Sequence, residues 1–140
     1  MDWETLTSRW THLQDRTEGL KKKLRLIVSK FEDSEIRCSV WESLTPKTLV
    51  QGISLEGFLG YTEKDGAWTL VVRTLERDDK SGTILSSKVE NLLDADTFLK
   101  ESVPAIPRLL ERLDNAVSIK GFDAIEDEVE AVLESKEMRA

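Results

Sequence analysis

The apolar positions at the start of the chain recur in alternating steps of three and four. Trp3, Leu6, Trp10, Leu13, Thr17, Leu20, Leu24, Ile27 and Phe31 make an unbroken seam with one polar member, the pattern of an amphipathic helix. Asp2 precedes it in the place of an N-cap. Gly19 costs such a helix about 1 kcal/mol relative to alanine. In "KLRLIVSKF", Leu24, Leu26 and Val28 also alternate as a strand would. The heptad phase survives the glycine, so the spacing predicts a helix to about residue 31.

The middle of the chain changes to period two. Ile36, Cys38 and Val40 alternate with Arg37, Ser39 and Trp41, which predicts a half-buried strand. After the loop "SLTPKT", residues 50–62 and 67–77 flank Asp65-Gly66, the favoured dipeptide of a two-residue type I′ hairpin. That turn sets Tyr61 opposite Leu70, Leu59 opposite Val72 and Trp68 opposite Glu63, with one apolar face. Residues 83–90 make a further short strand, reached through "DDKSG".

The remainder is helical. Ile106, Leu109, Leu110, Leu113 and Val117 share one helix face, and Pro104 and Pro107 predict a break or a helix start near residues 103–107. Gly121 is the expected stop, and Asp123-Ala-Ile-Glu126 the capping box of a last helix carrying Ile125, Val129, Val132 and Leu133. The expected architecture is a single α+β domain over residues 1–140: an antiparallel sheet of about four strands, a long N-terminal helix and two C-terminal helices.

Charge adds an asymmetry. The net charge is −7, which argues against a nucleic-acid or anionic-membrane partner. Residues 1–31, however, carry seven Lys or Arg against four acids, while residues 121–140 carry seven acids against Lys136 and Arg139. The two ends are electrostatic complements. On the N-terminal seam, the flanking positions Thr7, Arg9, Gln14, Arg16, Lys21, Lys23, Val28 and Lys30 include no acid. A parallel coiled coil of two such helices would oppose like charges; an acidic helix, such as residues 123–137, is the better neighbour. No apolar run is long enough to span a membrane. The N-terminus has no secretory signal pattern, and a lone cysteine, Cys38, suits the reducing cytoplasm.

One stretch looks like chemistry. "DDKSGTIL", Asp78 to Leu85, resembles the DKTGT loop of the P-type ATPases and the wider haloacid-dehalogenase superfamily, which would make Asp79 a phosphoryl acceptor and Asp123 and Asp127 part of a magnesium site. Ser81 stands where the P-type loop has threonine and where the wider superfamily has a second aspartate. Aspartyl phosphorylation also needs the carboxylate at the end of a buried parallel strand. The preceding "VVRTLERD" alternates as an antiparallel strand does, and Asp-Asp-Lys-Ser-Gly is ordinary turn chemistry. The stretch is therefore read as a turn.

No other catalytic or cofactor constellation is expected. His12, the single histidine, falls on the outer side of the first helix, and with one cysteine it cannot complete a zinc site. Cys38 is in phase with core positions. No glycine-rich nucleotide loop is present. What remains is surface. The N-terminal helix would be ~43 Å long against ~20 Å for a common strand, leaving apolar seam uncovered. Trp41, on the strand face that carries Arg37, looks like an interface anchor. The sequence therefore predicts a non-catalytic, adaptor- or chaperone-like interaction domain without a cofactor. It would bind another protein or a second copy of itself, and Trp3, Trp10, Leu13, Arg37 and Trp41 are the candidate interface residues. The competing expectation is a small-ligand or enzymatic pocket between sheet and helices, near Tyr61, Trp68 and Arg73.

Overall fold

Asp65 and Gly66 both adopt positive φ, 52° and 83°, the backbone that a type I′ turn demands and that suits the twist of a hairpin. The hairpin they close is the centre of the molecule. In the computed structural model, which describes residues 2–139 without the side chains of residues 119–122, 124 and 136–139, it joins a strand at Ile53–Lys64 to one at Ala67–Asp78. The register is the expected one: Tyr61 faces Leu70, Leu59 faces Val72, and Glu63 faces Trp68.

In chain order the elements are α1 (Trp3–Asp33), β1 (Val40–Ser43), β2 (Lys47–Val50), β3 (Ile53–Lys64), β4 (Ala67–Asp78), β5 (Ile84–Asn91), two 3-10 turns at Leu92–Asp94 and Asp96–Phe98, α2 (Leu99–Val117) and α3 (Ile119–Arg139). The fold is α+β. All strand pairings are antiparallel: β5 lies outside β4, while β1 and β2 share the free edge of β3, one along each half.

One face of the sheet carries the core. Leu55, Leu59 and Tyr61 of β3 and Leu70 and Val72 of β4 meet Leu24, Val28 and Phe31 of α1, together with Phe98, Ala105, Ile106, Leu109 and Leu113 from the C-terminal part. Phe98 presses so closely on Gly57 that a Cβ there would lie 2.9 Å from its ring. Tyr61 is wholly buried, stacked obliquely between Phe31 and Trp68 with ring centroids 5.5 Å away on each side. Its hydroxyl donates to the Ile36 carbonyl at 2.6 Å and lies 3.2 Å from that of Phe31.

Several boundaries differ from the pattern in the sequence. The helix does run past residue 31, to Asp33, and Val28, expected on its charged flank, is buried. The strand expected from Ile36 begins only at Val40. Glu35 turns the chain with φ of 61°, and the Tyr61 hydroxyl holds the Ile36 carbonyl at the core, away from the β3 ladder. Lys47 and Thr48, assigned to a loop, open β2 (Lys47–Val50), and Val50, expected in the strand 50–62, ends it instead. Gln51-Gly52, with Gly52 at φ 85°, makes a two-residue turn between Val50 and Ile53. Pro104 and Pro107 lie inside α2, which neither breaks nor starts there. Both are exposed, on the side of the helix that faces water. Leu110 and Val117 leave the buried face of α2 and are exposed. Gly121 and Asp123 neither end nor cap a helix: α3 starts at Ile119, one extended residue, Ser118, after α2.

Candidate interaction surface

The N-terminal part of α1 is built to be helical without help from a core. The Asp2 side chain accepts a hydrogen bond from the Thr5 backbone N–H at 2.7 Å, and that backbone bond, with a contribution from the Thr5 side chain, holds the carboxyl below its ordinary range. Cap and charge both favour the first turn. Thr17 returns its hydroxyl to the Leu13 carbonyl at 2.8 Å, satisfying itself within the helix. Around Gly19 nothing approaches within 4 Å of a Cβ position, so no packing partner explains the glycine.

Only the C-terminal half of α1 is used by the fold. Partial burial begins at Thr17 and Leu20 and is complete at Leu24, Val28 and Phe31. Before that, Trp3, Leu6, Trp10 and Leu13 are 81%, 45%, 62% and 56% exposed. They lie on one side of the helix at steps of three and four, so they form one apolar stripe. The stripe runs into a groove of about 530 Å³ lined by Leu13, Leu20, Arg16, Lys23 and, from the first turn of α2, Lys100. Among the described residues none of these three cations is in an ion pair. Lys21, nearby, is held by Asp96 at 3.1 Å.

The expected anchors therefore separate. Trp3, Trp10 and Leu13 share the stripe. Arg37 and Trp41 do not join it, nor each other. Trp41 lies half-buried on the outer face of the sheet, flat against Gly60, where a Cβ would come within 2.3 Å of its ring. Arg37 turns instead to Trp68, its guanidinium 5.9 Å from the ring centroid. Tyr61, Trp68 and Arg73 do not converge on one pocket: Tyr61 is sealed in the core, and Arg73 is exposed on the opposite face of β4, as its strand phase requires. An apolar groove of about 300 Å³ does lie between α1 and α2, lined by Ile27, Phe31, Ile36, Ile106, Leu110 and Leu113, with Lys30 and Ser34 at the same site. The sequence missed it because its walls come from opposite ends of the chain.

Asp79 is where the turn reading puts it. Asp78 does the capping: its carboxylate accepts from the Lys80 and Ser81 N–H groups at 2.9 and 3.4 Å, and its carbonyl from that of Gly82, at φ 72°. Asp79 follows an antiparallel strand; its N–H donates to the Gly52 carbonyl of the β2–β3 turn at 2.9 Å, and its carboxylate accepts from the Ser54 hydroxyl of β3 at 2.6 Å. Arg77 braces the loop, donating to Glu56 and to the Gly82 carbonyl. His12 is exposed and Cys38 is partly buried against the core. Among the described residues no three His, Cys, Asp or Glu side chains converge on a metal site. No helix among them is long and apolar enough to cross a membrane. Comparison with protein-family models, with curated proteins and with solved structures finds no match for this chain.

Proposed function

We propose that the chain is a non-catalytic protein–protein interaction domain, adaptor- or chaperone-like, that acts in the cytoplasm through the N-terminal half of α1. The observation that carries this reading is the exposed stripe of Trp3, Leu6, Trp10 and Leu13. Single exposed apolar residues are common on protein surfaces, but a contiguous stripe with two tryptophans is not. Covering each tryptophan is worth on the order of 3 kcal/mol before the costs of association. The cap at Asp2 supports the same reading, because it keeps the stripe helical while unoccupied.

The test is a photo-crosslinking side chain placed at Leu6 in living cells. An adduct with any polypeptide, another protein or the chain itself, is expected, and Trp10→Asp should reduce it several-fold. If no polypeptide is captured, the reading fails. A second reading takes the 300 Å³ groove between α1 and α2 as a site for a small apolar ligand. Saturable 1:1 binding of a fluorescent fatty acid, lost in Leu110→Asp, would move the function there.

A further inference from the structure

The stripe on α1 has a counterpart in the same chain. On α3, Ile125, Val129, Val132 and Leu133 are 59%, 53%, 58% and 55% exposed, and at helical spacing they fall within about 100° of the circumference. Glu126 and Glu128 border them. Residues 123–135 hold six acids and no Lys or Arg. The lengths correspond: Ile125 to Leu133 spans about 12 Å of helix axis and Trp3 to Leu13 about 15 Å. Within one chain the two stripes do not meet, since both stand in solvent.

We propose that the occupant of the α1 stripe is α3 of a second copy of this chain, an inference that rests on reading the stripe as an interaction surface. Charge selects this pairing from the three that two copies could make. Paired with itself, α1 sets Arg16 and Lys23 of the two copies against one another with no acid on the seam flanks, and α3 paired with itself opposes Glu126 and Glu128. Only α1 against α3 opposes unlike charges, bringing the acidic border of α3 to the cations Arg16, Lys23 and Lys100 around the groove. A two-fold axis makes the contact twice and closes the assembly. Four tryptophans then cover roughly 600 Å² by themselves, about half of the ~1,200 Å² at the lower bound of stable interfaces. Leu6, Leu13 and the α3 residues add to it.

The test is the mass of the purified full chain by light scattering and sedimentation equilibrium, at low and high salt. Circular dichroism confirms that each variant is folded. A dimer is expected, weakened by salt but not abolished by it. Trp10→Asp and Val129→Asp should each give a monomer. The double variant Arg16→Glu/Lys23→Glu and the double variant Glu126→Lys/Glu128→Lys should each raise the dissociation constant on the order of tenfold at low salt. Their combination in one chain should restore it to within about threefold. A dimer that survives Val129→Asp, or two charge reversals that fail to compensate, would show that α3 is not the occupant. A monomeric wild type, whether α1 stays bare or is covered by its own α3, would overturn the pairing. Neither of these results touches the crosslinking test, so the interaction reading can outlive this inference.

Discussion

Tyr61 shows how much a single side chain decides here. It fills the centre of the core and its hydroxyl fastens the chain leaving α1 to the start of the sheet. Tyr61→Phe leaves the Ile36 carbonyl without its donor and should cost about 1–3 kcal/mol, read as a shift in the urea midpoint at constant slope. On the other face, Gly60→Ala drives a methyl into the Trp41 ring and should cost about 1–3 kcal/mol. Much of that should return in the double variant with Trp41→Ala, because the clash is then gone. Glu101 gives the pH dependence. Burial pushes its carboxyl up, but the hydrogen bond from Lys47 at 3.0 Å, the backbone and the charges of Lys47 and Lys100 outweigh it and hold the group below 4.5. With the folded value depressed, its stabilisation is complete above the ordinary carboxylate range and is lost as the pH falls through the folded value. Wild type should lose more stability on acidification below about pH 4.5 than Glu101→Gln does, measured by denaturant melts across that range.

At the scale of an element, α1 is one continuous helix whose two halves are stabilised differently. The half from Leu20 to Phe31 is held by the sheet, whereas the half before it is held by local terms: the Asp2 cap, the i to i+4 ladder and the Thr17 back-bond. The same substitution should therefore have unlike effects in the two halves. Leu24→Ala opens a buried cavity and should cost about 2–5 kcal/mol, while Trp10→Ala should leave the urea midpoint of the monomer nearly unchanged. Backbone amide exchange in the free monomer should be fast through about residue 16 and slow from Leu24 onward. Asp2→Ala should extend the fast region without altering the core.

For the whole molecule, layers are joined by a few ion pairs as well as by the core. Glu42 of β1 receives both Arg108 and Arg112, one turn apart on α2, and Lys47 of β2 reaches the Thr97 carbonyl and Glu101. These pairs position the edge strands under α2. The two arginines stand mostly in solvent although the Glu42 side chain is only 13% exposed, so high salt should weaken these pairs modestly without unfolding the chain. The net charge of −7 is unevenly placed: cations gather on α1 and acids on α3. Salt should consequently act far more on the association of two chains than on the stability of one, which parallel melts and masses at the same salt concentrations would separate.

The sequence alone determined the elements whose stability is local. The α1 seam and the Asp65-Gly66 hairpin follow from periodicity and turn chemistry within a few residues, so helix, register and apolar face were all legible. The same holds for the turn at Asp78–Gly82, where short polar side chains bond their own backbone. Tertiary structure decided what depends on distant partners. Val40 rather than Ile36 begins β1 because Tyr61, far along the chain, draws the Ile36 carbonyl inward. Lys47–Val50 becomes a strand because β3 offers it an edge, and α2 runs through two prolines because their side of the helix faces water. The candidate interaction surface divides in the same way. Its helical stripe and the opposite charge of the chain ends could be read directly, but the separation of Trp41 and Arg37 from it could not. Which half of a continuous apolar seam remains uncovered depends on where the sheet ends beneath it, and only the assembled fold sets that.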